Sequence, residues 1–143
     1  MSVPVTQIPV ITYDTAAQLI ADALTHARAN DWRVSAVVVD PSGIVVASAR
    51  MDGVSPIILE IATDKAFTAT LGRTTRAYYE HMSSSQDLTL GLQTRQRLCA
   101  WEGGAPIRQG DALIGAFGVS GATGPEDAEC AEVALEKAGL SAA

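Results

Sequence analysis

An α+β fold built on antiparallel hairpins is what this sequence predicts, and three observations predict it. Along the 143 residues the pattern switches twice from helical spacing to short β-branched runs and back. Each β-branched stretch consists of two runs joined by a tight turn, residues 41–43 (PSG) in the first and Gly110-Asp111 in the second, so the strands pair antiparallel. No strand alternates singly with a helix, which excludes a doubly wound βαβ sheet. The length suits one domain with one core.

Taken in order, Thr12, Asp14 and Thr15 offer caps for a first helix. Its stripe of Ala16, Leu19, Ile20, Ala23, Leu24 and Ala27 runs at helical spacing to about Asn30. Residues 35–40 and 44–50 form the first hairpin. Ser55 and Pro56 start a second helix, with Ile57, Ile58, Ile61, Ala62, Ala66 and Ala69 as its apolar stripe and Gly72 as its stop. A short helix follows over 75–82. Residues 83–100 are the least regular stretch: SSSQD reads as loop, and a short strand fits 98–101. Residues 102–106 (EGGAP) break the pattern, and the second hairpin pairs 107–109 with 112–120. Gly115 and Gly118 inside that long strand predict a bend or the close approach of another backbone. A last helix spans 126–138, with Glu126, Asp127 and Glu129 offsetting the dipole in its first turn and Gly139 as its stop. Residues 1–11 read as a flexible N-terminal arm.

Composition narrows the function. Ten basic residues against sixteen acidic ones give a net charge of −6, which opposes nucleic acid as a partner. The densest basic stretch, from Arg73 to Arg97, is diluted by Glu80 and Asp87. Cys99 and Cys130 form neither a disulfide framework nor a zinc site and read as free thiols in a reducing compartment. No run of about 18 apolar residues is present to cross a bilayer, and the N-terminus lacks the basic and apolar regions of a signal peptide. The expectation is therefore a cytoplasmic protein with no membrane and no metal partner. Nor does the chain contain a G-x-S-x-G, an H-E-x-x-H, a phosphate loop or a C-x-x-C.

Three segments together carry a resemblance: VVVDPSGIVVASARMDG, then KAFTA from Lys65, then GGAPIRQGDALIGAFGVSGATGPEDAECA. In this order they resemble the GlcG/HbpS-like family, also called a haem-degrading domain family and similar to the C-terminal domain of PduO-type proteins. The resemblance spans residues 15–140. It implies a profilin-like fold with an antiparallel sheet of about five strands and helices packed on it, and assembly into homo-oligomers, dimeric or larger. It also implies haem or a corrinoid as ligand for some members and a redox-sensing branch.

The residues themselves offer several candidates. Lys65 shares a helical face with Ile58, Ile61 and Ala62, so either its stem snorkels with the ammonium in water or the ammonium sits at a pocket edge and binds a carboxylate. Asp64 is a candidate partner. Arg50 ends a strand just before Asp52-Gly53, where a guanidinium serves as an ordinary terminal charge or captures a carboxylate bidentately; Arg108 in the second hairpin has the same two readings. GAFGVSGATG leads into a helix, so it is either a tight structural turn or an anion site, with Ser120 and Thr123 as lining residues. His26 and His81 are the two imidazoles. With Tyr78 and Tyr79 beside His81, they are the candidate haem ligands, and each histidine reads equally as a surface or helix-end residue.

Two functions follow. One is an oligomeric small-molecule-binding protein, with haem or a related tetrapyrrole in a pocket between the Lys65 helix and the Gly-rich strand, and His81, His26, Tyr78, Ser120 and Thr123 as binding residues. The other is a cofactor-independent isomerase, lyase or hydrolase of a small carboxylate-bearing metabolite. It would use Lys65 and Arg50 as catalytic residues and a histidine or Asp40 as base. A structural oligomer without a ligand is the third reading.

Overall fold

The computed structural model describes residues 3–143; Met1 and Ser2, at the start of the expected arm, lie outside the described residues. The elements run α1 (Tyr13–Ala29), β1 (Ser35–Val39), β2 (Val45–Arg50), α2 (Pro56–Ala69), α3 (Thr75–Met82), α4 (Gln86–Leu92), β3 (Gly104–Gln109), β4 (Ala112–Ser120) and α5 (Gly124–Lys137). The strands form one antiparallel sheet in the order β2-β1-β4-β3, so the two hairpins join through β1 and β4. Ser35 faces Ser120 across that central pair, and Val39 faces Ala116. No helix among the described residues is long and apolar enough to cross a membrane.

The α+β architecture and both hairpins are as expected, but the sheet has four strands rather than five. The strand expected at 98–101 does not form. There the Cys99 N–H donates to the Thr68 hydroxyl of α2 at 2.8 Å, so this backbone is tied to a side chain instead of a ladder. Residues 102–106 are no simple break either: β3 already begins at Gly104. It tolerates Pro106 because it is an edge strand, and Arg108 and Ser141 exchange backbone hydrogen bonds that cover its outer side. The SSSQD stretch leads into a helix, α4, where the Ser85 hydroxyl accepts from Leu88 N–H at 3.2 Å. Its leucines, 88, 90 and 92, alternate by two and leave no helical stripe, and no α4 residue is buried.

Alternation along the strands divides the core. Ala36, Val38, Phe117, Val119, Ala105 and Ile107 face α1 and α5, while Val37, Val39 and Ala116 face Ala62, Ala66 and Ala69 of α2. The predicted α1 stripe is buried throughout. Side chains such as Leu19 and Phe117, almost fully removed from water, contribute roughly 1.5–3 kcal/mol each. On α2 the small residues carry the contact, and the larger ones look outward: Ile57 is 57% exposed, and Ile58 and Ile61 are half-buried.

Helix α2 comes so close to the sheet that a Cβ on Gly118 would collide with the Ala62 carbonyl and lie 2.6 Å from Ala66 N. Gly118→Ala therefore forces the helix off the strand and costs about 1–3 kcal/mol or more. Gly91 on α4 has no neighbour within 4 Å, so Gly91→Ala is neutral or stabilising by up to about 1 kcal/mol. Chemical denaturation of the two variants checks the contrast.

Candidate functional site

The cleft expected between the Lys65 helix and the Gly-rich strand is absent, because Gly118 lets the two backbones touch. Lys65 departs from both expectations: its ammonium is neither in water nor at a pocket rim. The residue is 2% exposed. Its Nζ donates to Val119 O at 2.9 Å and to Asp127 Oδ2 at 3.1 Å. Asp127, equally buried, also accepts Ala122 N–H at 2.9 Å. Burial pushes the Asp127 carboxyl above the usual carboxylate range, against the opposing pull of the Lys65 ammonium and the Ala122 N–H. Gly103 is fitted to this pair, since a Cβ there would lie 2.8 Å from Lys65 Nζ and 3.0 Å from Asp127 Cβ. Asp64 is not the partner of Lys65; it lies 3.8 Å from Arg97.

The Gly-rich run is a turn into a capped helix, not an anion site. Thr123 caps α5 by accepting Glu126 N–H at 3.4 Å, and Glu126 accepts Thr123 N–H at 3.1 Å in return. With Asp127 holding Ala122 N–H, carboxylates already occupy two of the amides at this helix entry, and their charge opposes an anion there. Thr123 thus acts as a cap, and Ser120 is buried at the end of β4 opposite Ser35. Asp40 is spent on the first hairpin turn, accepting from Ser42 N–H and Ile44 N–H. Arg108 donates to Gly72 O at 3.2 Å.

The aromatic and imidazole candidates do not converge. His26 Nε2 lies 2.7 Å from Glu129 Oε2, and its ring meets Trp32 edge-on at 5.8 Å. An imidazole oriented by a carboxylate is half of a nucleophilic dyad, but the thiol that follows Glu129 on α5 supplies no nucleophile. Cys130 is fully buried, and burial, with the carboxylates of Asp127, Glu129 and Glu126, pushes its thiol up to about 12. Tyr78 is buried and its phenol is raised by that burial, so it stays protonated. Tyr79, two residues before His81 and therefore on another side of α3, is 48% exposed.

Open concavities lie at the periphery. Tyr79, the 65% exposed Trp101 and Arg76 line one of about 260 Å³, which shares Arg76 and Glu102 with a second of about 190 Å³ beside Gly104 and α5. At the opposite edge of the sheet, Arg50 at the end of β2 lines a cavity of about 400 Å³ together with Arg28, Arg33 and Trp32. Reasoning from sequence finds Arg50 there but misses Arg28 and Arg33. The available signal is weak: the hairpin pairing sets Ser35 opposite Arg50, which brings the residues just before β1 to the end of β2.

Comparison with known proteins decides the family. A family model described as haem degrading protein HbpS-like matches residues 11–136. The chain belongs to the HbpS-like family. It is 38% identical to protein GlcG of Escherichia coli (strain K12) over 111 residues, 78% of this chain and 81% of GlcG. The crystal structure of Klebsiella pneumoniae ORFY superposes with a TM-score of 0.88 at 30% identity, covering 95% of each chain. That of a PduOC:heme complex superposes at 0.85 and 21% identity, covering 93% of this chain and 98% of that one, a likeness of fold.

The candidate haem donors differ in what the packing leaves free. His26 is engaged by Glu129, and Tyr78 is buried as a phenol. His81, exposed in the last turn of α3, has no ring hydrogen bond among the described residues. Of the two imidazoles, His81 alone is exposed and without a ring hydrogen bond among the described residues.

Two predictions follow from the buried groups. Lys65→Met leaves an unpaired carboxylate and lowers stability by about 3–5 kcal/mol, whereas Lys65→Met with Asp127→Leu recovers much of the loss; equilibrium unfolding measures both. For Cys130 the folded thiol lies above its ordinary value of 9.0, so the stability it contributes is complete below about pH 9 and falls as pH rises from there toward 12. The slope reaches about 1.4 kcal/mol per pH unit. Unfolding curves across that range should be steeper in pH for the wild type than for Cys130→Ala, and equal slopes would show that the thiol does not couple to folding.

Proposed function

We propose that the protein is a ligand-binding module rather than an enzyme, with a tetrapyrrole as its ligand class and haem as the first candidate. The observation that carries this reading is the closed state of the Lys65 site: the buried cation is consumed by Asp127 and Val119 O, so the residue that the sequence marks as a carboxylate-orienting cation cannot meet a substrate. Support for haem comes from membership in a family described as haem degrading and HbpS-like and from a structural neighbour titled as a haem complex. The free imidazole of His81 is the side chain that would hold the iron. Bound haem would supply a redox-active iron centre; the protein's part is to present the imidazole and cover the ring.

A single subunit offers little cover around His81, and this favours assembly. The described surface carries exposed Ile57, Leu71, Leu90 and Trp101, and Val3, Val5, Ile8 and Val10 of the arm are all at least half exposed. Exposed apolar side chains that join into a patch mark subunit contacts. A homo-oligomer would cover it and give the haem a second wall.

A haem titration followed in the Soret band tests the reading, with size-exclusion chromatography alongside. The expected result is a saturable shift at about one haem per subunit, lost in His81→Ala and retained in His26→Ala. A non-saturating shift, or one indifferent to His81, sinks haem as the ligand.

A further inference from the structure

The cavity at the end of β2 holds chemistry that the tetrapyrrole reading does not use. Three of the ten basic residues in a chain of net charge −6 line it: Arg28 in the last turn of α1, Arg33 just before β1, and Arg50 at the end of β2. Like charges gathered at one cavity repel unless something offsets them. Asp31 and Asp52 also line this cavity, yet among the described residues no carboxylate lies within 4.0 Å of any of the three guanidinium groups.

Two of the three arginines are positioned instead by backbone. Arg33 Nη1 donates to Asp52 O at 3.0 Å, and Arg50 Nη1 donates to Val54 O at 2.6 Å. Each guanidinium has five N–H donors, so one is fixed to the same turn in each case and the rest stay available. One wall is Trp32, half-buried, with its indole held edge-on by the His26 ring at 5.8 Å and 72°. Asp31, beside it, has φ 60° as the left-handed residue that stops α1, its N–H donating to Arg28 O at 3.1 Å while Trp32 N–H donates to Ala27 O at 2.8 Å. These bonds fix where Trp32 and Arg33 leave the helix.

We propose that this cavity binds a small flat organic carboxylate, its oxygens on the guanidinium N–H groups and its ring against Trp32. Arginine suits this task because its planar fork matches a carboxylate bidentately and stacks on aromatic faces. At about 400 Å³ the cavity lies at the small end of the ~300–1,000 Å³ range of ligand sites, which suits a single-ring ligand rather than a tetrapyrrole. The site is separate from His81 and stands whether or not haem binds.

The chain contains two tryptophans, so a Trp101→Phe background leaves Trp32 as the sole indole reporter. In that background phthalate, titrated at fixed ionic strength, should change Trp32 fluorescence saturably with Kd below about 1 mM. Neutral phthalamide should give no change. Arg28→Gln, whose side chain has no ion-pair or hydrogen-bond partner among the described residues and whose melting curve should match the parent, should weaken phthalate binding tenfold or more, and adding Arg33→Gln should abolish it. Absence of a saturable change, an unaltered Kd in the double variant, or equal binding of phthalamide overturns the proposal. So does inorganic phosphate binding as tightly as phthalate, which would reduce the cavity to a general anion patch.

Discussion

An ammonium group taken out of water must be given a full set of partners, and meeting that requirement for Lys65 shapes much of this molecule. The lysine starts on α2, which covers one face of the sheet, and its Nζ ends on Asp127 of α5, which covers the other. Val119 O, near the end of β4, supplies the second acceptor. The side chain therefore has to pass the end of the sheet, and only a residue without a Cβ leaves room there, which is the position of Gly103. The same approach brings α2 onto Gly118. Asp127 in turn fixes the turn before α5 through Ala122 N–H. One buried charge thus links a helix on each face, two glycines and a helix entry.

This arrangement is specific more than it is stabilising. Desolvation of both ions offsets most of their attraction, and well-packed apolar residues could fill the same volume at similar stability. The pair instead penalises misplacement, because any shift of α2 along β4 that separates the ions strands a charge in the interior. The α2 face toward the sheet is mostly alanine, with Ala62, Ala66 and Ala69, and such a face interlocks weakly. A register set by an ion pair and by glycine contacts compensates for side chains too small to set it.

The fold was largely legible because its signals are local. The α1 stripe, the two turns and the helix-start residues each act over a few neighbouring positions, and Thr12 and Pro56 stand where helix starts require them; Thr123, read from sequence as a lining residue, is the cap of α5. The misreadings arise where a distant partner decides. Residues 98–101 resemble a strand until the Thr68 hydroxyl takes the Cys99 N–H, and Gly103 and Gly104 resemble a break until α2 presses against them. Helix α4 is fixed by a Ser85 cap on a sequence whose leucines alternate like a strand. For the site, sequence marks Lys65 as unusual because it lies on an apolar face, yet the periodicity that places it there says nothing of Asp127, 62 residues further on. Arg28 and Arg33 carry no pattern of their own and join Arg50 only through tertiary structure.

The segments that make this chain recognisable are therefore mostly the ones that build it. Lys65, Gly103, Gly118 and Asp127 all belong to the three stretches that carry the family resemblance, and all are consumed in packing α2 and α5 around the sheet. Membership consequently transfers the scaffold strongly and the ligand weakly. A ligand must be met by groups that this packing leaves free, and those lie at the rim: the His81 imidazole on α3, the Trp101 surface, and the three guanidinium groups beside Trp32. Side chains at such positions can change without disturbing the buried ion pair, because none of them touches it. A common core with an adaptable rim leaves the choice of ligand to side chains that the fold itself does not need.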